Sequence, residues 1–155
     1  MPDMQTTPLS FSPLAGGLGV EVLGLPVARI DDALFGSVYA AFLAHQLLLF
    51  RDQDLAPGAQ VAFARRFGKV QVHVMNQYHA SGHPELYTLS NLDADGKPSG
   101  KHPDRGTLAW HTDGSWQRVT GQATMLFAER IPATGGNTSF ADMYGAYEAL
   151  SPAER

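Results

Sequence analysis

His111 and Asp113 stand two residues apart in Ala109-Trp110-His111-Thr112-Asp113-Gly114-Ser115-Trp116. On an extended backbone residues i and i+2 share a face, so the imidazole and the carboxylate are expected to aim at one point while Thr112 faces away. A neutral nitrogen beside an anionic oxygen is most of a non-haem Fe(II) site. There two histidines and a carboxylate hold one face of the metal, and the other face stays open for substrate and O₂. A His beside an Asp is also a common surface hydrogen-bonded pair, and the spacing by itself is unspecific. Trp110 and Trp116, the two tryptophans of the chain, flank the pair. They are expected to act as apolar walls that limit water access to a bound metal.

A second group of imidazoles, His73, His79 and His83, lies upstream, in a stretch interrupted by Gly82 and Pro84. Their spacing does not fit one helix face, so a metal site built from them alone is not expected. The rest of the composition narrows the class. The chain has 155 residues, a net charge of −4 and no cysteine. That length fits one domain with a core. The acidic balance without a basic cluster argues against nucleic acid. Zero cysteines exclude disulfides and thiol catalysis and fit a cytoplasmic setting. No apolar run approaches the ~20 residues that a membrane span needs, so no membrane partner is expected.

Around the motif the expected elements follow in order. Residues 1–8 read as a disordered terminus. Gly19 to Leu23 alternates as a strand, and Asp31 or Asp32 caps a helix with Leu34, Phe35, Val38, Tyr39, Phe42 and Leu43 on one apolar face. Gln46 to Phe50 reads as a buried strand. Pro57 opens a second helix with Val61, Ala62 and Phe67 inward and Gly68 as its stop. Lys69 to Gln77 looks extended, and Leu86 to Leu89 is a further strand. Asn91 to Gly106 is a long loop rich in Gly, Pro and charge, suited to a lid over the metal. Ala123 to Ala128 and Asn137 to Ala141 read as strands separated by a Gly135-Gly136 turn. Asp142 caps a helix carrying Met143, Tyr144, Tyr147 and Leu150. Ser151-Pro152-Ala153-Glu154 is a capping box that announces another helix. Residues 9–155 are therefore expected to be the N-terminal part of a longer domain.

From about Leu9 onward the sequence resembles the TauD/TfdA (taurine dioxygenase) family of Fe(II)- and 2-oxoglutarate-dependent oxygenases. The resemblance rests on Leu49-Phe50-Arg51-Asp52-Gln53, Phe63-Ala64-Arg65-Arg66-Phe67-Gly68, Trp110-His111-Thr112-Asp113, Gly135-Gly136-Asn137-Thr138 and Ala146-Tyr147-Glu148-Ala149-Leu150. It implies an α+β, mainly β fold: part of a double-stranded β-helix (jelly-roll) core with N-terminal helices outside. It implies that His111 and Asp113 are iron ligands, that Thr138 meets a carboxylate of 2-oxoglutarate, and that His73 meets the anionic head of a small substrate. That substrate would be a sulfonate, sulfate ester or carboxylate, hydroxylated with Fe(II), 2-oxoglutarate and O₂ and with release of succinate and CO₂. Thr107 stands where taurine-specific members carry Asn, which argues against taurine. The family's second His ligand and its 2-oxoglutarate-binding Arg have no counterpart in these residues.

The chain alone is therefore expected to be inactive. Its bare sheet edge and apolar faces should favour association, a homo-oligomer being one form of it. Two other readings carry different tests. A non-catalytic fragment would bind 2-oxoglutarate or a partner without turnover. A zinc hydrolase using His111, Asp113 and one of His73, His79 or His83 would need neither O₂ nor 2-oxoglutarate.

Overall fold

The computed structural model describes residues 9–101 and 105–155. The expectation for residues 1–8 lies outside them. Two compact units emerge: the described part of Met1–Asp54 together with Ala128–Arg155, and Leu55–Phe127.

In the first unit, β1 (Ser10–Pro13) pairs antiparallel with β2 (Val20–Leu23), and β2 pairs in parallel with β3 (Leu48–Leu49). Alternation in β2 turns Val20 and Val22 into the core and leaves Glu21 and Leu23 outside it. Between β2 and β3 runs α1 (Asp32–His45), started by Asp31, whose carboxylate accepts from the Leu34 N–H at 2.8 Å. This is the expected cap, and it satisfies one of the orphan donors of the first turn. Val38 and Ala41 are the buried residues of α1, whereas Leu43, expected inward, is 61% exposed. The helix ends on Gln46 in the left-handed region, and its N–H bonds back to Phe42.

Gln53, just past β3, ties the strand exit to the loop after β2. Its Oε1 accepts from Val27 N–H, and its Nε2 donates to the carbonyls of Leu25 and Arg51. Arg51 also pairs with Glu21 of β2 at 3.0 Å. Farther along, α3 (Met143–Glu148) is capped by Asp142 as expected, and its Met143, Tyr144 and Tyr147 are exposed. The Ser151–Glu154 box forms: Glu154 accepts from both the Ser151 N–H and its hydroxyl. A single turn follows it, not a helix.

The second unit holds α2 (Pro57–Arg65), with Pro57 in the first turn where its missing N–H costs nothing. Val61 and Phe63 are its buried residues, and Ala62 faces solvent, contrary to expectation. The Phe63 and Phe67 rings meet edge-on at 5.5 Å. After α2 comes a hairpin of β4 (His79–Ala80) and β5 (His83–Tyr87), fastened to α2 by Arg65–Glu85 at 2.6 Å. The strand expected at Leu86 to Leu89 thus begins three residues earlier. The stretch expected to be extended through Gln77 closes in a 3-10 turn at Asn76–Tyr78. Of the expected lid, residues 91–99 are closed by a Leu92–Pro98 bridge, with Asp93 accepting from the N–H groups of Asp95 and Lys97.

The expected strands at 123–128 and 137–141 are not strands among the described residues. Alternation in sequence marks a chain that can pair; a ladder also needs a partner edge. Among the described residues the arrangement is α+β, with a three-stranded mixed sheet, a separate two-stranded sheet and a few helices.

Candidate metal centre

His111 and Asp113 do converge. His111 Nε2 lies 3.2 Å from Asp113 Oδ1. The backbone route differs from the expected strand. The segment before Asp113 forms no ladder, and a turn begins at Asp113, closed by Gln117 N–H donating to the Gly114 carbonyl at 2.9 Å. Gly114 takes φ +66°, a left-handed conformation that glycine adopts without a Cβ penalty. The turn is buttressed from the segment after α2, where Gln71 Oε1 accepts from Gln117 Nε2 at 3.2 Å.

Each side chain of the pair is held at its other polar atom. His111 Nδ1 lies 2.8 Å from the Ala109 carbonyl. A carbonyl only accepts, so Nδ1 carries a proton, and in the neutral form of His111 the lone pair is at Nε2. Asp113 Oδ2 accepts from the Thr124 hydroxyl at 2.9 Å. What remains is Nε2 facing a carboxylate oxygen: an ion pair when the imidazole is protonated, two lone pairs when it is neutral. Two electron-rich atoms at that distance repel unless a cation, a proton or a metal ion, lies between them. The separation is close to the edge of an octahedron with bonds of about 2.1 Å, which is about 3 Å. The donor set, one neutral nitrogen and one anionic oxygen, suits Fe(II).

The tryptophans do not wall the pair in this chain: Trp110 is 73% and Trp116 77% exposed. The His111 and Asp113 side chains are themselves about half exposed, at 44% and 57%. Among the described residues no group of three or more metal-ligating side chains comes together.

The other expected site residues are placed as follows. His73, in the same unit, stacks edge-on against Tyr87 at 4.6 Å, and its Nδ1 accepts from the Met75 N–H at 3.2 Å. A nitrogen that accepts is unprotonated, so neutral His73 carries its proton on Nε2. His79 donates through Nε2 to the His73 carbonyl at 2.7 Å. His83 packs beside Gly58 of α2. The three histidines thus go to three different tasks. Thr138 lies in the first unit, exposed and outside any ladder, and Thr107 lies in a 3-10 turn, Arg105–Leu108. Thr124, the Ala109 carbonyl and the Gln71–Gln117 bridge were not legible as site components, because nothing local in the sequence marks them.

Comparison with known proteins adds the decisive observation. The model of the "Taurine catabolism dioxygenase TauD, TfdA family" matches residues 10–155. The chain belongs to this family. Among similar TauD/TfdA proteins is an (S)-phenoxypropionate/alpha-ketoglutarate-dioxygenase of Delftia acidovorans, 38% identical over 98% of this chain and 52% of its own length. An alpha-ketoglutarate-dependent 2,4-dichlorophenoxyacetate dioxygenase of Cupriavidus pinatubonensis is 37% identical over 67% of this chain and 39% of its own. The crystal structure of AAD-2 in complex with Mn(II) and N-oxalylglycine superposes with a TM-score of 0.70 at 29% identity, covering 96% of this chain and 52% of that one. The chain therefore spans about half the length of the curated relatives it matches. The family is one of alpha-ketoglutarate (2-oxoglutarate) dependent dioxygenases. No helix among the described residues is long and apolar enough to cross a membrane.

Proposed function

We propose that this chain supplies two protein ligands, His111 Nε2 and Asp113 Oδ1, to the Fe(II) centre of a 2-oxoglutarate-dependent dioxygenase that hydroxylates a small anionic substrate. The observation that carries the proposal is the 3.2 Å approach of those two atoms while the remaining polar atom of each side chain is engaged elsewhere. The third ligand and the cation for the distal carboxylate of 2-oxoglutarate come from residues beyond these 155. So do the strands that would complete a jelly-roll core.

When bound, Fe(II) and 2-oxoglutarate supply the oxidising chemistry, which consumes O₂ and yields succinate and CO₂. The chain's residues bind and orient. Ala109 fixes the His111 tautomer through Nδ1–H, leaving Nε2 for the metal. Thr138, with a hydroxyl donor, is assigned to a carboxylate of 2-oxoglutarate. His73 offers an N–H donor at Nε2 whether neutral or protonated, which suits the anionic head of the substrate. Two of the relatives are named for phenoxypropionate and dichlorophenoxyacetate, so an aryloxyalkanoate carboxylate is the favoured substrate class.

The test is a paired assay for Mn(II) binding and for succinate formation. The isolated chain is expected to bind one Mn(II) through His111 and Asp113 and to form no succinate. The whole protein is expected to form succinate when Fe(II), 2-oxoglutarate and an aryloxyalkanoate are supplied. Iron- and substrate-dependent turnover by residues 1–155 would refute the division of labour. Stoichiometric 2-oxoglutarate binding by the whole protein without product would favour a binding role instead.

A further inference from the structure

We infer that Thr124 is a positioning residue for this centre: its hydroxyl holds Oδ2 of Asp113 so that Oδ1 alone is turned toward His111 Nε2. The inference rests on the ligand assignment above and adds a residue that assignment does not need. The terminal torsion of an aspartate is broad and roughly two-fold, so an unanchored carboxylate can offer either oxygen or both. A carboxylate gripping the metal through both oxygens would take a position needed by cosubstrate or substrate. The Thr124 hydroxyl, 2.9 Å from Oδ2, removes that choice.

The backbone around Thr124 supports the contact. Thr124 and Leu126 are exposed, while Met125 and Phe127 are half-buried. That period of two belongs to an extended segment, and it turns the threonine to the side opposite Met125 and Phe127. His111 is anchored in the same manner through Ala109, so each ligand has one polar atom held and one presented. Partners of this kind typically change metal affinity by about 10- to 100-fold when removed.

Thr124→Val keeps the shape of the side chain and removes the O–H; Thr124→Ser keeps the O–H. In the intact chain, titrated with Mn(II) and separately with Co(II), Thr124→Val should weaken Mn(II) binding about tenfold or more and alter the Co(II) absorption spectrum. Thr124→Ser should bind within about threefold of the unmodified chain with its spectrum unchanged. Equal affinity and an unchanged spectrum for Thr124→Val would overturn the inference and leave the ligand assignment standing. Equal losses in both variants would also overturn it, because the hydroxyl would then not be the cause. Failure of the unmodified chain to bind either metal would overturn the ligand assignment, and this inference with it.

Discussion

Replacing Gln53 by Ala tests whether the segment after β3 is held by one side chain. The amide makes three hydrogen bonds: from Val27 N–H at 2.9 Å, to the Leu25 carbonyl at 3.1 Å and to the Arg51 carbonyl at 2.8 Å. Leu25 and Val27 are buried, so water cannot readily replace the bonds made to them, whereas the bond to Arg51 is exposed. At about 1 kcal/mol net for each sheltered bond, plus a share of the cost of stranding the Val27 donor, the loss should be about 2–3 kcal/mol. With a urea dependence of about 2 kcal/mol/M, the midpoint should fall by about 1–1.5 M. Helix ellipticity is the suitable probe, since the 14-residue α1 lies in this unit and both tryptophans lie in the other. Gln53→Glu keeps the acceptor for Val27 but sets a carboxylate oxygen against the Leu25 and Arg51 carbonyls, and should cost at least as much as Gln53→Ala. A midpoint shift below about 0.3 M for Gln53→Ala would show that the loop is held by something else.

Two further outcomes follow from local geometry. At Gly19, φ is +84° and an added Cβ would sit 2.7 Å from both Cβ and the carbonyl oxygen of Leu47. Gly19→Ala should therefore cost more than about 2 kcal/mol in urea unfolding, through left-handed strain and separation of β2 from β3; a loss under about 0.5 kcal/mol would contradict the close approach. The hydrogen bonds from the Ser151 hydroxyl and N–H hold the Glu154 carboxyl below its ordinary range. A lowered folded value means that its contribution is present above the unfolded value and is lost as pH falls through the folded one. The Ser151 amide resonance should accordingly titrate with a midpoint below that of a free glutamate; an ordinary midpoint would mean that the box does not form.

What could be read from sequence is what is decided locally. Asp31, Pro57 and Asp142 act within one helical turn of themselves, and all three do what their types dictate. The convergence of His111 and Asp113 was legible from their spacing, although a turn and not a strand delivers it. Features set by distant partners were not legible. The stop of α1 falls on Gln46, a residue that seldom takes a left-handed cap, so no glycine announced it. Leu49 to Gln53 carried the family likeness, but the bonds that Gln53 makes to residues 26 and 28 positions away were not legible in it. Ala123 to Ala128 has a strand's composition, yet composition says nothing about whether an edge is there to receive it. Trp110 and Trp116 flank the motif in sequence, and adjacency in sequence did not make them walls.

The most direct test is anomalous diffraction from crystals of the protein soaked in Mn(II). A single peak is expected about 2.0–2.2 Å from both His111 Nε2 and Asp113 Oδ1, with Asp113 Oδ2 still on Thr124. Manganese bound elsewhere, or a site that keeps only one of these two atoms as a ligand, would contradict the account.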